Sequence, residues 1–260
     1  MAAGYATRLY PLTKDYPKPL LKLGTKPIID YIIEKLNIID EVDEIIVITN
    51  SRFFPHFKIW SKKVKVNKKL SLVDDLTKTL SDKRGAIGDM DFAIKKKHIK
   101  EDLVVIGGDN LFDDNLKGFL SFAKEKTGKP VIGAYNIRNK IHAKKYGVLK
   151  LDKENKVIDF REKPNVPKST LVAMCLYYFP KERLSLVKEY LNPVRNTKSL
   201  RSKSRICNGV NKVNKQCDAT GLYIDWLRRR IPVYGFVFNG RWYDIGDHKF
   251  YNEAKKAFIN

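Results

Sequence analysis

Cysteine, histidine and long apolar runs are all scarce in this 260-residue chain, and each shortage removes a class of function. Cys175, Cys207 and Cys217 are too few and too irregularly spaced for a disulfide framework, and no C-x-x-C or H-x-x-x-H spacing suggests zinc, so reduced thiols are expected. His56, His98, His142 and His248 lack the spacing of ligands and read as structural or surface residues. The longest uncharged apolar run, Leu171 to Phe179, has nine residues, against roughly 20 for a bilayer-crossing helix, so no membrane span is expected. Arg8 and Lys14 interrupt the first twenty positions where a secretory leader would be apolar, and a cytoplasmic protein is the expectation. Neither G-x-x-x-x-G-K-[ST] nor G-x-G-x-x-G occurs, which sets aside the usual ATPase and dinucleotide readings.

What is plentiful is positive charge. A formal net charge of +22 admits nucleic acid, an anionic membrane surface or a phosphorylated small substrate as partner. Seven cations (Arg195, Lys198, Arg201, Lys203, Arg205, Lys212 and Lys215) lie in residues 192–216, which contain no Asp or Glu. The same stretch has no aromatic residue to interleave with its cations, which argues against RNA. Polar, basic and rich in Asn and Ser, it predicts a disordered surface insertion. With 43% hydrophobic residues overall, the chain suits a single globular domain over 1–260.

Apolar runs alternate with amphipathic stretches in the manner of an α/β protein. Residues 27–39 place isoleucines at helical spacing, and "EIIVIT" (44–49) reads as a strand buried on both faces. A helix over 89–99, a strand within 102–110, a helix over 115–126 and a strand over 131–135 continue the pattern. From 146 onward "YGVLKLD", "KVIDFREKP" and "STLVAMCLYYF" read as strands joined by short turns. A helix (181–191), a helix around "GLYIDWLRRR", a strand "VYGFVF" and a closing helix (248–258) follow. The expected fold is a doubly wound, mostly parallel, Rossmann-like sheet with antiparallel additions in the C-terminal half. In such sheets ligands sit beyond the carboxyl ends of the strands.

The most distinctive residues fall at those ends. The opening "AAGYATRLYPLT" is a small-residue loop of the kind that lets backbone N–H groups approach an anion. It carries Arg8, a planar fork suited to phosphate, and leads to Lys18, a point charge stiffened by Pro17 and Pro19. Taken singly, each residue has a plainer reading. Arg8 and Lys18 could be solvated surface cations, Asp109 an Asx-turn, Asp244 a helix cap, and Glu162 and Lys163 a pair serving only each other.

Taken together, "AAGYATRLYPLTKDYPKPLLKL", "RGAIGDM" (84–90), "GGDN" (107–110), "YGV" (146–148), "REKP" (161–164) and "GRWYDIGD" (240–247) closely resemble, in order, the signatures of the sugar-phosphate nucleotidyltransferases. The resemblance implies that Ala3, Gly4 and the backbone at Gly85 hold base and ribose. It implies that Arg8 meets the outer phosphates of a nucleoside triphosphate and Lys18 the α-phosphate or sugar phosphate. Gly147, Glu162 and Lys163 would meet the sugar 1-phosphate, and Asp109 and Asp244 would ligate Mg²⁺. The implied reaction gives a nucleotide-sugar and pyrophosphate, with glucose 1-phosphate and dTTP or UTP as first guess. A homo-oligomer stays open. The alternative is a noncatalytic nucleotide-sugar or nucleic-acid binding protein. Elementary chemistry agrees with the enzyme, because nucleotidyl transfer needs positioning and charge neutralisation, and the attacking phosphate is already an anion that needs no general base. A binding module would not need both carboxylates.

Three features depart from the resemblance. Cys175 stands where relatives commonly have Gly, Arg84 stands where short forms usually have an apolar residue, and 192–216 interrupts a region where relatives pass almost directly from "YL" to "DATGLYIDWL". The resemblance also implies an apolar strand before "AAGY", where only Met1 precedes Ala2, so that strand is expected to be missing from this chain.

Overall fold

The computed structural model describes residues 1–192 and 219–257. The expectations for 193–216, including the disordered insertion, and those for Cys207 and Cys217, lie outside the described residues.

A hairpin of β1 (Lys22–Leu23) and β2 (Lys26–Pro27) leads into α1 (Ile28–Asn37), which starts directly after Pro27. The helix buries Ile28, Ile29, Ile32 and Ile33 on one face. Burying those four side chains stabilises the packing by about 6–12 kcal/mol before entropy is counted. Next come β3 (Glu44–Thr49), α2 (Phe54–Ser61), β4 (Lys69–Asp74), α3 (Gly85–Lys96), β5 (Leu103–Ile106), β6 (Asn110–Phe112) and α4 (Leu116–Glu125). Asn115 caps α4, its side chain accepting from the N–H groups of Lys117 and Gly118, which satisfies two donors the helix cannot. The chain continues through β7 (Val131–Asn136), α5 (Lys140–Ala143), β8 (Gly147–Leu151), β9 (Val157–Glu162), β10 (Leu171–Phe179) and α6 (Ser185–Leu191). After residue 218 follow α7 (Thr220–Arg228), β11 (Tyr234–Phe238), β12 (Trp242–Asp244) and α8 (His248–Ala257).

The strands form a mixed α/β architecture. β3 and β4 pair in parallel, as do β7 and β11, while β8 and β9 are antiparallel. β10 is the hub: it runs antiparallel to β7 on one edge and, on the other, to β5 and to β8 at Val172. A register shift between Ala173 and Tyr177 contains Cys175, whose φ of 54° puts it in the left-handed region. β12 pairs antiparallel with β6, setting Asp244 opposite Asn110. Among the described residues, no helix is long and apolar enough to cross a membrane.

The first residues lie between β3 and β5. The Met1 amine donates to the Ile106 carbonyl (2.9 Å) and Gly108 N–H to the Met1 carbonyl (2.7 Å), the bond pattern of a parallel bridge. Ala2 N–H donates to the Ile48 carbonyl of β3 (2.8 Å). Beside Met1 a cavity of about 790 Å³ runs between the two strands, lined by apolar residues such as Ile29, Val47 and Val105 and also by charged ones such as Glu44, Lys97 and Asp102.

Candidate active site

The site is built by residues that neighbour core anchors in the sequence. Leu9, Leu111 and Ile245 are fully buried in one cluster with Leu23 and Ile28, and each sits within two residues of a candidate group: Arg8, Asp109 and Asp244. Packing the anchors thus brings three distant chain segments to one place. The opening loop is held from within, since Ala6 is left-handed (φ 48°) and its carbonyl accepts from the buried Thr13 hydroxyl (2.8 Å). Pro17 precedes a 3-10 turn over Lys18–Leu20 whose Pro19 and Leu20 are buried. Lys18 is thereby presented from a rigid corner. Its Nζ binds the Asp109 carboxylate and donates to the Ile245 carbonyl (2.9 Å).

The electrostatics follow from burial. Burial works to raise the Asp109 carboxyl, but Lys18 outweighs it and holds the group below the usual carboxylate range. Asp244 is pushed up to about 6, by burial first and by the charge on Asp109 second. Asp109 and Asp244 are thus half-buried carboxylates whose charges oppose each other, and the cations Lys18 and Arg8 offset that repulsion. Arg8 is close by: a Cβ at Gly246 would stand 3.6 Å from both an Arg8 guanidinium nitrogen and an Asp244 carboxylate oxygen.

From this charged end a cavity of about 370 Å³ extends towards Glu162. Arg8, Gly147, Glu162, Lys163 and Asp244 line it, as do Lys145, Tyr146, Cys175, Tyr177, Thr220 and Asp247. Gly147 is required there, because a Cβ would meet the Phe160 ring at 2.4 Å. Burial raises the Glu162 carboxyl against the opposing pull of Lys163, whose Nζ lies 3.7 Å away. The plainer reading of those two as mutual partners is therefore present in the structure, on a cavity wall. The Tyr177 hydroxyl donates to Thr220 Oγ1 (2.8 Å). Burial, followed by the charge on Asp109, pushes the Cys175 thiol up to about 12, so it stays neutral.

Ala3, Gly4 and Gly85 lie outside that cavity's lining. Gly4 has no atom within 4 Å of where a Cβ would be, an open backbone face, and the Ala3 carbonyl is held by Asn50 Nδ2 (2.9 Å). Gly85 opens α3 at φ 75°, a conformation that favours glycine. Near it sits a buried acid pair. Asp75 accepts from both the N–H and the hydroxyl of Thr77 (2.7 Å each), and Arg84 donates to the Asp75 carbonyl (2.6 Å). Asp89 is 6% exposed, and its Oδ1 has no hydrogen-bond partner.

Sequence reasoning passed over Lys145, Tyr177 and Thr220. Tyr146 and Asp247 lie within "YGV" and "GRWYDIGD", beside the residues to which the resemblance gives roles. None of the four histidines lines the cavity. Among the described residues, no group of three or more His, Cys, Asp or Glu side chains could hold a metal on its own.

A family model described as nucleotidyl transferase matches residues 1–260. The chain is 29% identical to the bifunctional protein GlmU of Methanocaldococcus jannaschii, over all of this chain and 53% of the relative. It is 25% identical to the glucose-1-phosphate adenylyltransferase of Mycoplasma mobile, over all of this chain and 66% of the relative. The chain spans about half the length of the first curated relatives it matches. Among solved structures, UDP-glucose pyrophosphorylase complexed with UDP-glucose superposes with a TM-score of 0.76 at 20% identity, covering 99% of this chain and 95% of that one, a likeness of fold.

Proposed function

The chain belongs to the nucleotidyl transferase family, and on that footing we propose that it transfers a nucleoside monophosphate from a nucleoside triphosphate to a sugar 1-phosphate and releases pyrophosphate. One observation carries the reading: Arg8 and Asp244 line one cavity with Glu162 and Thr220, and the Lys18–Asp109 ion pair is tied in beside Asp244 through the Ile245 carbonyl. The two cations Arg8 and Lys18 suit phosphates, and a hydroxyl-and-carboxylate end suits a sugar.

A phosphate oxygen of the sugar phosphate attacks the α-phosphorus. The bond from that phosphorus to its bridging oxygen breaks, and the electron pair leaves with pyrophosphate. The guanidinium of Arg8 would grip the outer phosphates in its fork and steady the leaving group. Lys18, fixed by its proline corner, would give the α-phosphate a charge that needs no reorganisation. Glu162 would accept from a sugar hydroxyl, with Lys163 and the Gly147 backbone beside it. Ala3, Gly4 and Gly85 would pack backbone against base and ribose, where the open face of Gly4 permits close approach. Because the attacking phosphate is already an anion, the reaction needs no histidine as general base.

Asp109 and Asp244 fit Mg²⁺, since one or two carboxylates plus substrate phosphates are the usual magnesium donor set, and burial followed by the charge on Asp109 raises Asp244, a cost that a cation there would relieve. When bound, the ion neutralises charge that builds on the phosphate oxygens. Glucose 1-phosphate with dTTP or UTP is the leading substrate pair. The test is pyrophosphate release across a matrix of nucleoside triphosphates and sugar 1-phosphates, with and without Mg²⁺. Turnover confined to one or a few pairs and dependent on the ion is expected. Binding of nucleotide-sugar with no turnover of any pair would overturn the proposal in favour of a noncatalytic binder.

A further inference from the structure

We propose that Cys175 decides which class of sugar 1-phosphate this site accepts, admitting hexoses that carry a plain hydroxyl next to the anomeric carbon and excluding those that carry a bulky acylamino group there. The inference rests on the proposed transferase reading and extends it.

Position comes first. The alternate residues Ala173, Cys175 and Tyr177 of β10 form one wall of the 370 Å³ cavity. Tyr177, through Thr220, belongs to the end that holds Glu162. Cys175 belongs to the charged end: a Cβ at Gly107 would stand 3.1 Å from both the Cys175 sulfur and an Asp109 carboxylate oxygen. The thiol therefore sits between the group that would bind phosphate and the group that would bind remote hydroxyls. In a sugar 1-phosphate the ring carbon that follows the phosphate-bearing carbon falls in that interval. A substituent on it has the thiol for a neighbour.

Backbone and packing then make the thiol hard to move. Cys175 sits at φ 54°, where a side chain is disfavoured, and glycine would relieve that. Its carbonyl accepts from Gly107 N–H (3.0 Å), which ties the residue to the loop bearing Asp109. The sulfur lies close against Gly107, so a Cβ there would press on it. A fixed CH₂–SH group in a cavity this small subtracts volume that a larger substituent needs, and pocket discrimination of that kind is worth about 10–200-fold.

The experiment compares kcat/KM for glucose 1-phosphate and its 2-acetamido analogue in the wild type, Cys175→Gly and Cys175→Ala. The wild type should favour the hydroxyl sugar by at least about tenfold. Cys175→Gly should raise the relative use of the acetamido sugar by a similar factor, through a lower KM, and should raise the melting temperature as the strained φ is relieved. Cys175→Ala, which keeps the strain and removes only the sulfur, should shift the ratio in the same direction without the thermal gain. A wild type that prefers the acetamido sugar, or a ratio unchanged in both variants that still turn over, would overturn the inference alone. Failure of the wild type to turn over any sugar phosphate would overturn the transferase reading and this one together.

Discussion

A Cβ placed on Gly221 would lie 1.9 Å from Oε2 of Glu162. The first residues of α7 therefore form the seat on which the Glu162 carboxylate rests, with the Phe160 ring 2.9 Å from the same point. Gly221→Ala should force Glu162 out of its seat. Because Glu162 faces the sugar end of the cavity, the expected effect is a rise in KM for sugar phosphate of about tenfold or more, with a smaller change in KM for the triphosphate. Equal changes in both constants would mean that the helix shift reaches the whole site.

Asp109→Asn and Asp244→Asn should each lower turnover by on the order of 100-fold or more, the loss of several kcal/mol of charge stabilisation. Neither anchors the core, so both variants should stay folded, with Asp109→Asn giving up the ion pair with Lys18. Near-normal Mg²⁺-dependent turnover in either variant would remove that residue from the metal site.

Asp89 gives the fold a pH dependence of known sign. Burial, and then the charge on Asp75, pushes its carboxyl up to about 8, whereas in the unfolded chain it titrates near 4. The folded state therefore binds the proton more tightly. The contribution is fully present below about pH 4 and is lost as pH rises through about 8. Asp89→Asn, neutral at every pH, should flatten the decline in melting temperature between pH 5 and pH 9 and be the more stable form at the upper end. Parallel curves for the two proteins would show that the acid pair does not titrate in this way.

An added apolar strand supplies a further prediction. The strand faces that line the cavity of about 790 Å³ between β3 and β5 carry apolar residues such as Val47 and Val105, and Met1 makes one parallel bridge at its end. Joining six alternating Val and Ile residues ahead of Met1 should fill it. Burial of about four side chains would contribute about 6–12 kcal/mol before the entropic cost of ordering the segment. Thermal unfolding should shift upward by many degrees, and a control segment of Ser, Lys and Gly should produce no shift.

Much of the fold was legible because burial writes a period into the chain. β3 (44–49) and α1 (28–37) emerged at or within a residue or two of their read boundaries, since a strand covered on both faces is a continuous β-branched run and a one-sided helix repeats at three and four. β4 (69–74) and α2 (54–61) carried weaker signals. β4 is only half buried, and α2 mixes apolar and basic residues around Pro55 without a clear stripe. The site was less legible still. Asp109 and Asp244 come together through a three-residue ladder between β6 and β12, too short to leave any periodic trace. Their partnership was available only from the resemblance, as was that of Arg8. Lys145, Tyr177 and Thr220 had no distinguishing neighbours in the sequence, and only packing brings them to the cavity.

The hub role of β10 bears on how the protein is made. Leu176 pairs with Ile106, seventy residues earlier, and the same strand closes β7 and meets β8. At about 5–20 residues per second, a ribosome needs on the order of 4–14 seconds to add those seventy residues. Until Phe179 emerges, β5 and β7 expose apolar edges that could pair with other nascent chains. Expression should therefore depend on chaperone supply and on slow growth at low temperature, and substitutions that weaken β10 should lower yield before they lower activity.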